Sequence, residues 1–317
     1  MRKALIVGIN YYSNCNPLFG CVTDACDVKN ALERNADGTL NFDVQTMLAT
    51  NDKDEVSKIQ LKEKVKALFT GDSDIALFYY SGHGYIENTG GYLVTSECTT
   101  GDDGLHLSDI MTFANESKAK NKVIILDSCN AGIAGDVTIN NAFALISDGM
   151  TILTACEKDQ YATEENGHGV FTSLLVDALL GGASNLVGDI TPGSIYAHID
   201  QSLGPWDQRP VFKTNVKNFI SLRKNLPPIS LKDLKEITRL FKNSSDEFFL
   251  NPSFEPTEST FNEENGDKFE VLQNYVRVNL VRPVGEEHMY YAAINNKSCK
   301  LTALGVHYWN LVRNNRI

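Results

Sequence analysis

The first 225 residues alternate short, unbroken apolar runs with longer helix-like segments. The runs are Lys3–Asn10, Asp43–Thr50, Ile75–Ser81, Lys122–Ser128, Met150–Cys156 and Pro210–Thr214. Continuous rather than alternating apolarity predicts strands covered on both faces. Helices are predicted between them at Asp24–Asn35, Asp54–Phe69, Leu107–Lys118, Phe171–Leu180 and Thr191–Leu203. The last of these has Thr191 placed to cap and Pro192 at the first helical position. Strand–helix–strand alternation of this kind implies an α/β domain, a mostly parallel six-stranded sheet sandwiched between helices in αβα layers.

The alternation stops near Arg223–Pro228, which divides the chain into a first domain over 1–225 and a C-terminal module over 226–317. The module shows one amphipathic helix (Ser230–Lys242), a polar stretch to about Asp267, the segment VLQNYVRVNLV, a predicted hairpin over Glu287–Lys300, and LTALGVHYWNLV. Helix, hairpin, helix is the outline of an α+β, winged-helix-like module. Arg223-Lys224, in the expected linker, is taken as open to proteolytic trimming.

Composition narrows the function classes. A 317-residue chain with 42% hydrophobic and 22% charged residues is neither disordered nor fibrous. Its net charge of −11 argues against general nucleic-acid binding. From Lys268 onward there are seven Lys or Arg against three Asp or Glu, so the tip is locally basic, but no recognition helix stands out. The apolar part of MRKALIVGINYY is too short for a signal peptide and suits a buried first strand. No run approaches the length of a membrane span, so no membrane is expected and the cytoplasm is the default. Seven cysteines with no paired spacing point to reduced thiols.

Two segments carry the chemistry. IALFYYSGHG places His83 just beyond one strand, between Gly82 and Gly84, and KVIILDSCNAG places Cys129 at the end of the next. Binding crevices in open parallel sheets lie beyond the carboxyl ends of the strands. Neighbouring strands would thus bring an imidazole and a thiol to one edge, where the His makes the thiol a nucleophile. The backbone N–H groups of Gly84 and Cys129 would form an oxyanion hole. Each residue alone has an ordinary structural explanation; together at successive strand ends they point to catalysis. A second Gly-His-Gly at Gly167–Gly169 follows a polar stretch, so His168 is expected on a loop with no strand to fix it. Cys156 is assigned to packing.

ALIVGIN, YSGHG and DSCNAG resemble the caspase, metacaspase and paracaspase clan of cysteine peptidases, as do TILTACEKDQYATE and GVFTSLL, over about residues 1–220. Many metacaspases carry His and Ser after the catalytic Cys, where this chain has Asn and Ala. The loop after the first strand holds no arginine of the caspase type, and GCVTDA is similar to a metacaspase segment. The resemblance therefore implies an S1 pocket lined by Cys21, Asp24, Ser81 and Asp127, two of them carboxylates suited to an Arg or Lys side chain. The alternative is that Asp24 caps the helix it begins and Asp127 is oriented to backbone. The resemblance also suggests calcium at Asp102, Asp103 and Asp136, although no cofactor is required for the chemistry. Clan members are often cleaved between the fourth and fifth strands, but residues 130–149 contain no Lys or Arg. An intact, regulated chain follows, with a protein or peptide substrate of basic P1 and a protein regulator acting through the C-terminal module. Stress, cell-death or defence pathways are the settings implied. The competing class is a catalytically silent binding protein whose module contacts a protein or nucleic acid.

Overall fold

The apolar runs become strands because each contributes side chains to both faces of one sheet. The computed structural model describes residues 1–128, 134, 145–155, 164–165, 167–204 and 208–317. They divide into two units, Met1–Ser184 with Asp189–Asn225, and Asn185–Gly188 with Leu226–Ile317. The first unit runs β1 (Arg2–Ile9), α1 (Cys21–Glu33), β2 (Asp43–Ala49), α2 (Lys58–Phe69), β3 (Ile75–Ser81), β4 (Gly84–Glu87), β5 (Gly90–Leu93), β6 (Leu105–His106), α3 (Leu107–Asn115) and β7 (Asn121–Asp127). It continues with β8 (Met150–Thr154), β9 (Glu164–Glu165), β10 (His168–Gly169), α4 (Val170–Asp177), β11 (Asp189–Ile190), α5 (Pro192–Ser202), β12 (Val211–Asn215) and β13 (Arg223–Lys224).

The central sheet has the order β12-β8-β7-β3-β1-β2. All neighbours are parallel except β12, which runs antiparallel to β8. Leu5, Val7, Phe78, Tyr80, Ile124 and Leu126 meet α2 and α3 on one face. Ala4, Ile6, Leu77, Tyr79, Val123 and Ile125 meet α1, α4 and α5 on the other. The period of two is intact; it is invisible as alternation because both faces are buried. The αβα layering expected from the sequence is the observed fold.

Helix starts are set by local chemistry. Ser57 and Gln60 form a reciprocal capping box, so α2 begins at Lys58 rather than Asp54. Thr191 and Ser194 do the same for α5, with Pro192 in its first turn. The first helix begins at Cys21, earlier than expected, and Asp24 lies inside its first turn rather than at its cap. Arg223-Lys224 is not an open linker. It forms β13, paired with β11, and the buried Arg223 guanidinium donates to the carbonyls of Arg34 (3.0 Å) and Leu179 (2.7 Å).

The second unit contains α6 (Leu231–Lys235), α7 (Ile237–Leu240), β14 (Glu247–Phe249), α8 (Glu263–Arg277), β15 (Val281–Val284), α9 (Met289–Ile294), β16 (Ser298–Leu301) and α10 (Ala303–Arg313). Its antiparallel sheet has the order β14-β16-β15. The hairpin expected over Glu287–Lys300 is absent there: α9 occupies its first half and β16 its end. Met289, Ala292 and Ala293 are buried at helical spacing, which decides for helix over strand. VLQNYVR belongs to α8 for the same reason, burying Phe269, Leu272 and Tyr275. The single helix expected over Ser230–Lys242 is two short ones. The wing of a winged-helix outline is therefore not a hairpin here.

Gly8 is where α1 seats on β1. A Cβ there would lie 2.4 Å from the Cys21 carbonyl oxygen and 2.7 Å from Ala25 Cβ. Gly8→Ala should thus overpack the contact and cost about 1–3 kcal/mol, measured as a melting temperature lowered by a few degrees. An unchanged melting temperature would show that α1 does not rest on β1 at this point.

Candidate active site

The register of β3 and β7 places the two chemical segments side by side. Ser81 pairs with Asp127 at the carboxyl ends of these adjacent parallel strands. His83 and Cys129 each follow by two residues. Covalent geometry alone keeps the Cys129 Cα within about 7.6 Å of that of Asp127. Cys129 itself, together with Asp136 and Cys156, lies outside the described residues.

His83 is held by groups that no motif announced. Its backbone N–H donates to the Tyr12 hydroxyl at 2.8 Å, and the two rings stand 4.7 Å apart. Burial pushes the Tyr12 hydroxyl pKa far up, so this oxygen stays neutral. The Tyr80 hydroxyl donates to the His83 carbonyl at 2.9 Å. A side chain at position 82 is excluded, because its Cβ would lie 2.6 Å and 2.7 Å from the Tyr80 and Tyr12 hydroxyls. The imidazole Nε2 lies 2.8 Å from the Asn16 carbonyl oxygen. A carbonyl only accepts, so Nε2 carries the proton and Nδ1 is the basic nitrogen. His83 and Gly84 line a cavity of about 340 Å3 with Cys15, Asn16, Tyr85 and Thr100. Asn16 and Tyr12 were missed in the sequence: one acts through its backbone, the other through a fold-dependent contact.

All four residues expected in S1 are buried: Cys21 and Asp24 on α1, Ser81 at the end of β3, and Asp127 at the end of β7. The two carboxylates converge on Gly169. A Cβ built there would lie 2.5 Å from Asp127 Oδ2 and 3.1 Å from Asp24 Oδ2. The Gly169 N–H donates to Asp24 Oδ2 at 3.0 Å. The Thr172 hydroxyl donates to Asp127 Oδ2 at 2.6 Å and accepts from the Tyr79 hydroxyl at 2.6 Å. Burial first, and then the nearby Asp127 and Asp24, drive the Tyr79 pKa well above its usual value. Asp24 accordingly does not cap α1; its carboxylate faces β10. Thr172 and Gly169 carried no recognisable signal beyond their place in GHGVFT.

His168 also departs from expectation. It lies in β10, paired with β9 opposite Glu165, rather than on an unsupported loop. Its Nδ1 is 3.3 Å from Asp24 Oδ1 and 3.7 Å from Asp27 Oδ2.

Of the three residues expected at a calcium site, Asp136 is outside the described residues, and Asp102 and Asp103 are exposed neighbours in one loop. Asp103 Oδ2 accepts from the Thr99 N–H at 2.8 Å. Burial raises the Asp103 pKa, but this amide and the Cys98 thiol outweigh it and hold the carboxyl below its ordinary value. That oxygen is turned to its own loop, and Asp102 is exposed. Among the described residues, which do not include Asp136, no group of three or more His, Cys, Asp or Glu could hold a metal ion. No step of the chemistry is assigned to it.

A profile of the Peptidase C14 caspase domain matches residues 1–227. Metacaspase-1 of Meyerozyma guilliermondii is 36% identical over 91 residues, covering 27% of this chain and 22% of that protein. Metacaspase-1 of Debaryomyces hansenii is 26% identical over 194 residues, covering 55% and 40%. The chain thus spans well under half the length of these curated relatives. Protein GSU0716 from Geobacter sulfurreducens superposes with a TM-score of 0.52 at 18% identity, covering 71% of this chain and 97% of that one. Caspase-1 from Spodoptera frugiperda gives 0.51 at 13% identity, covering 71% and 90%. These two structures share the fold. With the profile spanning more than half of the chain, this protein belongs to the caspase-domain family of cysteine peptidases.

Proposed function

We propose that the protein is a cysteine endopeptidase that hydrolyses peptide bonds after Arg or Lys. The observation that carries the reading is the state of His83. With Nε2–H pinned to the Asn16 carbonyl, Nδ1 is left as the base at the strand end beside the strand leading to Cys129. In the reaction Nδ1 takes the Cys129 thiol proton and the thiolate attacks the scissile carbonyl carbon. The N–H groups of Gly84 and Cys129 hold the developing oxyanion. His83 then gives the proton to the leaving amine as the C–N bond breaks, leaving a thioester. Water, deprotonated by His83, cleaves the thioester and restores the thiol.

The preference for a basic P1 is supported by Asp24 and Asp127, two buried carboxylates converging on one glycine. Two convergent carboxylates match the fork of a guanidinium, and an ammonium as a point charge, in sign and geometry. The second unit is assigned a regulatory, partner-binding role, and the setting a stress, cell-death or defence pathway in the cytoplasm. Among the described residues no helix is long and apolar enough to cross a membrane.

Matched fluorogenic peptides ending in Arg, Lys or Asp test the core of this reading. Arg and Lys peptides should be cut and the Asp peptide should not, and Cys129→Ala or His83→Ala should lower kcat/KM by at least about a thousandfold. Preferred cleavage after Asp would sink the S1 assignment, and no cleavage in any arm would make the chain either a latent zymogen awaiting its partner or a binding protein. Adding calcium or EGTA to the same assay decides whether Asp102, Asp103 and Asp136 matter, because a calcium site requires activity to fall with EGTA.

Tyr12 is a positioning residue. Tyr12→Phe leaves the His83 N–H without its acceptor, a loss of about 1–2 kcal/mol, so kcat should drop roughly tenfold while KM stays constant. A change confined to KM would assign Tyr12 to substrate binding instead. Finally, active enzyme should remain uncut between residues 130 and 149, which lack Lys and Arg; mass spectrometry of the aged protein would reveal any such cut and refute it.

A further inference from the structure

The second Gly-His-Gly motif has no part in the chemistry above, yet it is packed against the carboxylates assigned to S1. Its residues do different things there. Gly169 offers its amide to Asp24 Oδ2 and, lacking a Cβ, leaves room for Asp24 and Asp127 to converge. His168 contributes a ring. Its Nδ1 lies between Asp24 Oδ1 at 3.3 Å and Asp27 Oδ2 at 3.7 Å. Carboxylates only accept, so Nδ1 carries the proton that Asp24 Oδ1 receives, with Asp27 Oδ2 next to it but beyond hydrogen-bond distance.

The two carboxylates differ in their surroundings. Asp24 and Asp27 stand three residues apart on α1, and hence on one face of the helix. The Asp24 side chain is 2% exposed and that of Asp27 is 43% exposed, while the His168 ring, at 38%, is half-exposed. The imidazole therefore lies between a buried carboxylate and a solvent-facing one.

We propose that His168 is an internal occupant of the Asp24 carboxylate, a cover that an incoming P1 cation displaces and that Asp27 receives. The proposal rests on the assignment of Asp24 to S1. A buried carboxylate needs donors whether or not substrate is present, and His168 supplies one in the free enzyme. At 3.3 Å this contact is long beside the 2.7–2.9 Å of a charge-assisted guanidinium–carboxylate bond, so a P1 Arg can replace it. Asp27 keeps the displaced ring partnered, which lowers the cost of opening. Gly169 N–H stays on Asp24 Oδ2 throughout and holds the carboxylate in place. His168 thereby sets affinity for the P1 side chain without touching the scissile bond.

The full chain is used for the test, with matched Arg- and Lys-terminated fluorogenic peptides, and with calorimetry of benzamidine on the Cys129→Ala background as a readout independent of turnover. His168→Ala should lower KM about threefold, the worth of one half-exposed hydrogen bond, with kcat unchanged, and should tighten benzamidine by a similar factor. Asp27→Asn should raise KM by weakening the outer acceptor. His168→Gln, which keeps a donor, should stay near wild type and controls for folding, as does the melting temperature of each variant. An unchanged or raised KM in a folded His168→Ala variant overturns the cover. Asp24→Asn separates the two layers: if it raises the KM for Arg while His168→Ala changes nothing, S1 stands and the cover alone falls. If Asp24→Asn leaves the KM for Arg untouched, the S1 assignment fails and the cover with it.

Discussion

The parallel pairing of β3 with β7 is the constraint from which the site descends. Ser81 and Asp127 are in register at the end of that pair, and everything catalytic is counted from there by covalent geometry. The pairing holds because both faces of the sheet are covered: Phe78, Tyr80, Ile124 and Leu126 are buried toward α2 and α3, and Leu77, Tyr79, Val123 and Ile125 toward α1, α4 and α5. Slipping a parallel pair by one residue would exchange these two sets and uncouple His83 from the cysteine-bearing strand. Core packing and catalytic geometry are thus one requirement.

Around that edge, polar groups are held by fixed hydrogen-bond partners. The Asn16 carbonyl selects the His83 tautomer and Tyr12 anchors its backbone. Thr172 links Tyr79 to Asp127 in a buried chain of hydrogen bonds. The glycines at 82 and 169 are sites of close approach, where a single Cβ would strike hydroxyls in one case and carboxylates in the other. Such arrangements trade stability for preorganisation, and the large two-faced core is what sustains the trade.

The second unit has its own apolar core, in which Phe241, Leu272, Tyr275 and Trp309 are buried, with the Trp309 indole donating to the Phe241 carbonyl at 2.7 Å. Its strands are separated by helices along the chain and joined only in the sheet. This is why local patterns such as MYYAAI are ambiguous there: a six-residue apolar stretch suits a strand or a helix, and only its buried face decides.

The sequence by itself determined the αβα architecture, the six central strands, the capping of α5 and the location of His83 beyond a strand end. Those features follow from local causes: apolar runs, capping side chains and glycine turns. It also assembled Cys21, Asp24, Ser81 and Asp127 as one group, through resemblance rather than through spacing. Only the tertiary structure brought Asn16 to His83, Gly169 to Asp24 across 145 positions and Thr172 to Asp127 across 45. It also turned Arg223 inward to two carbonyls and set His168 between Asp24 and Asp27. The reason is physical: backbone carbonyls and amides are the same in every residue and leave no mark in a sequence, and a hydrogen bond between distant segments exists only once the sheet has set their separation.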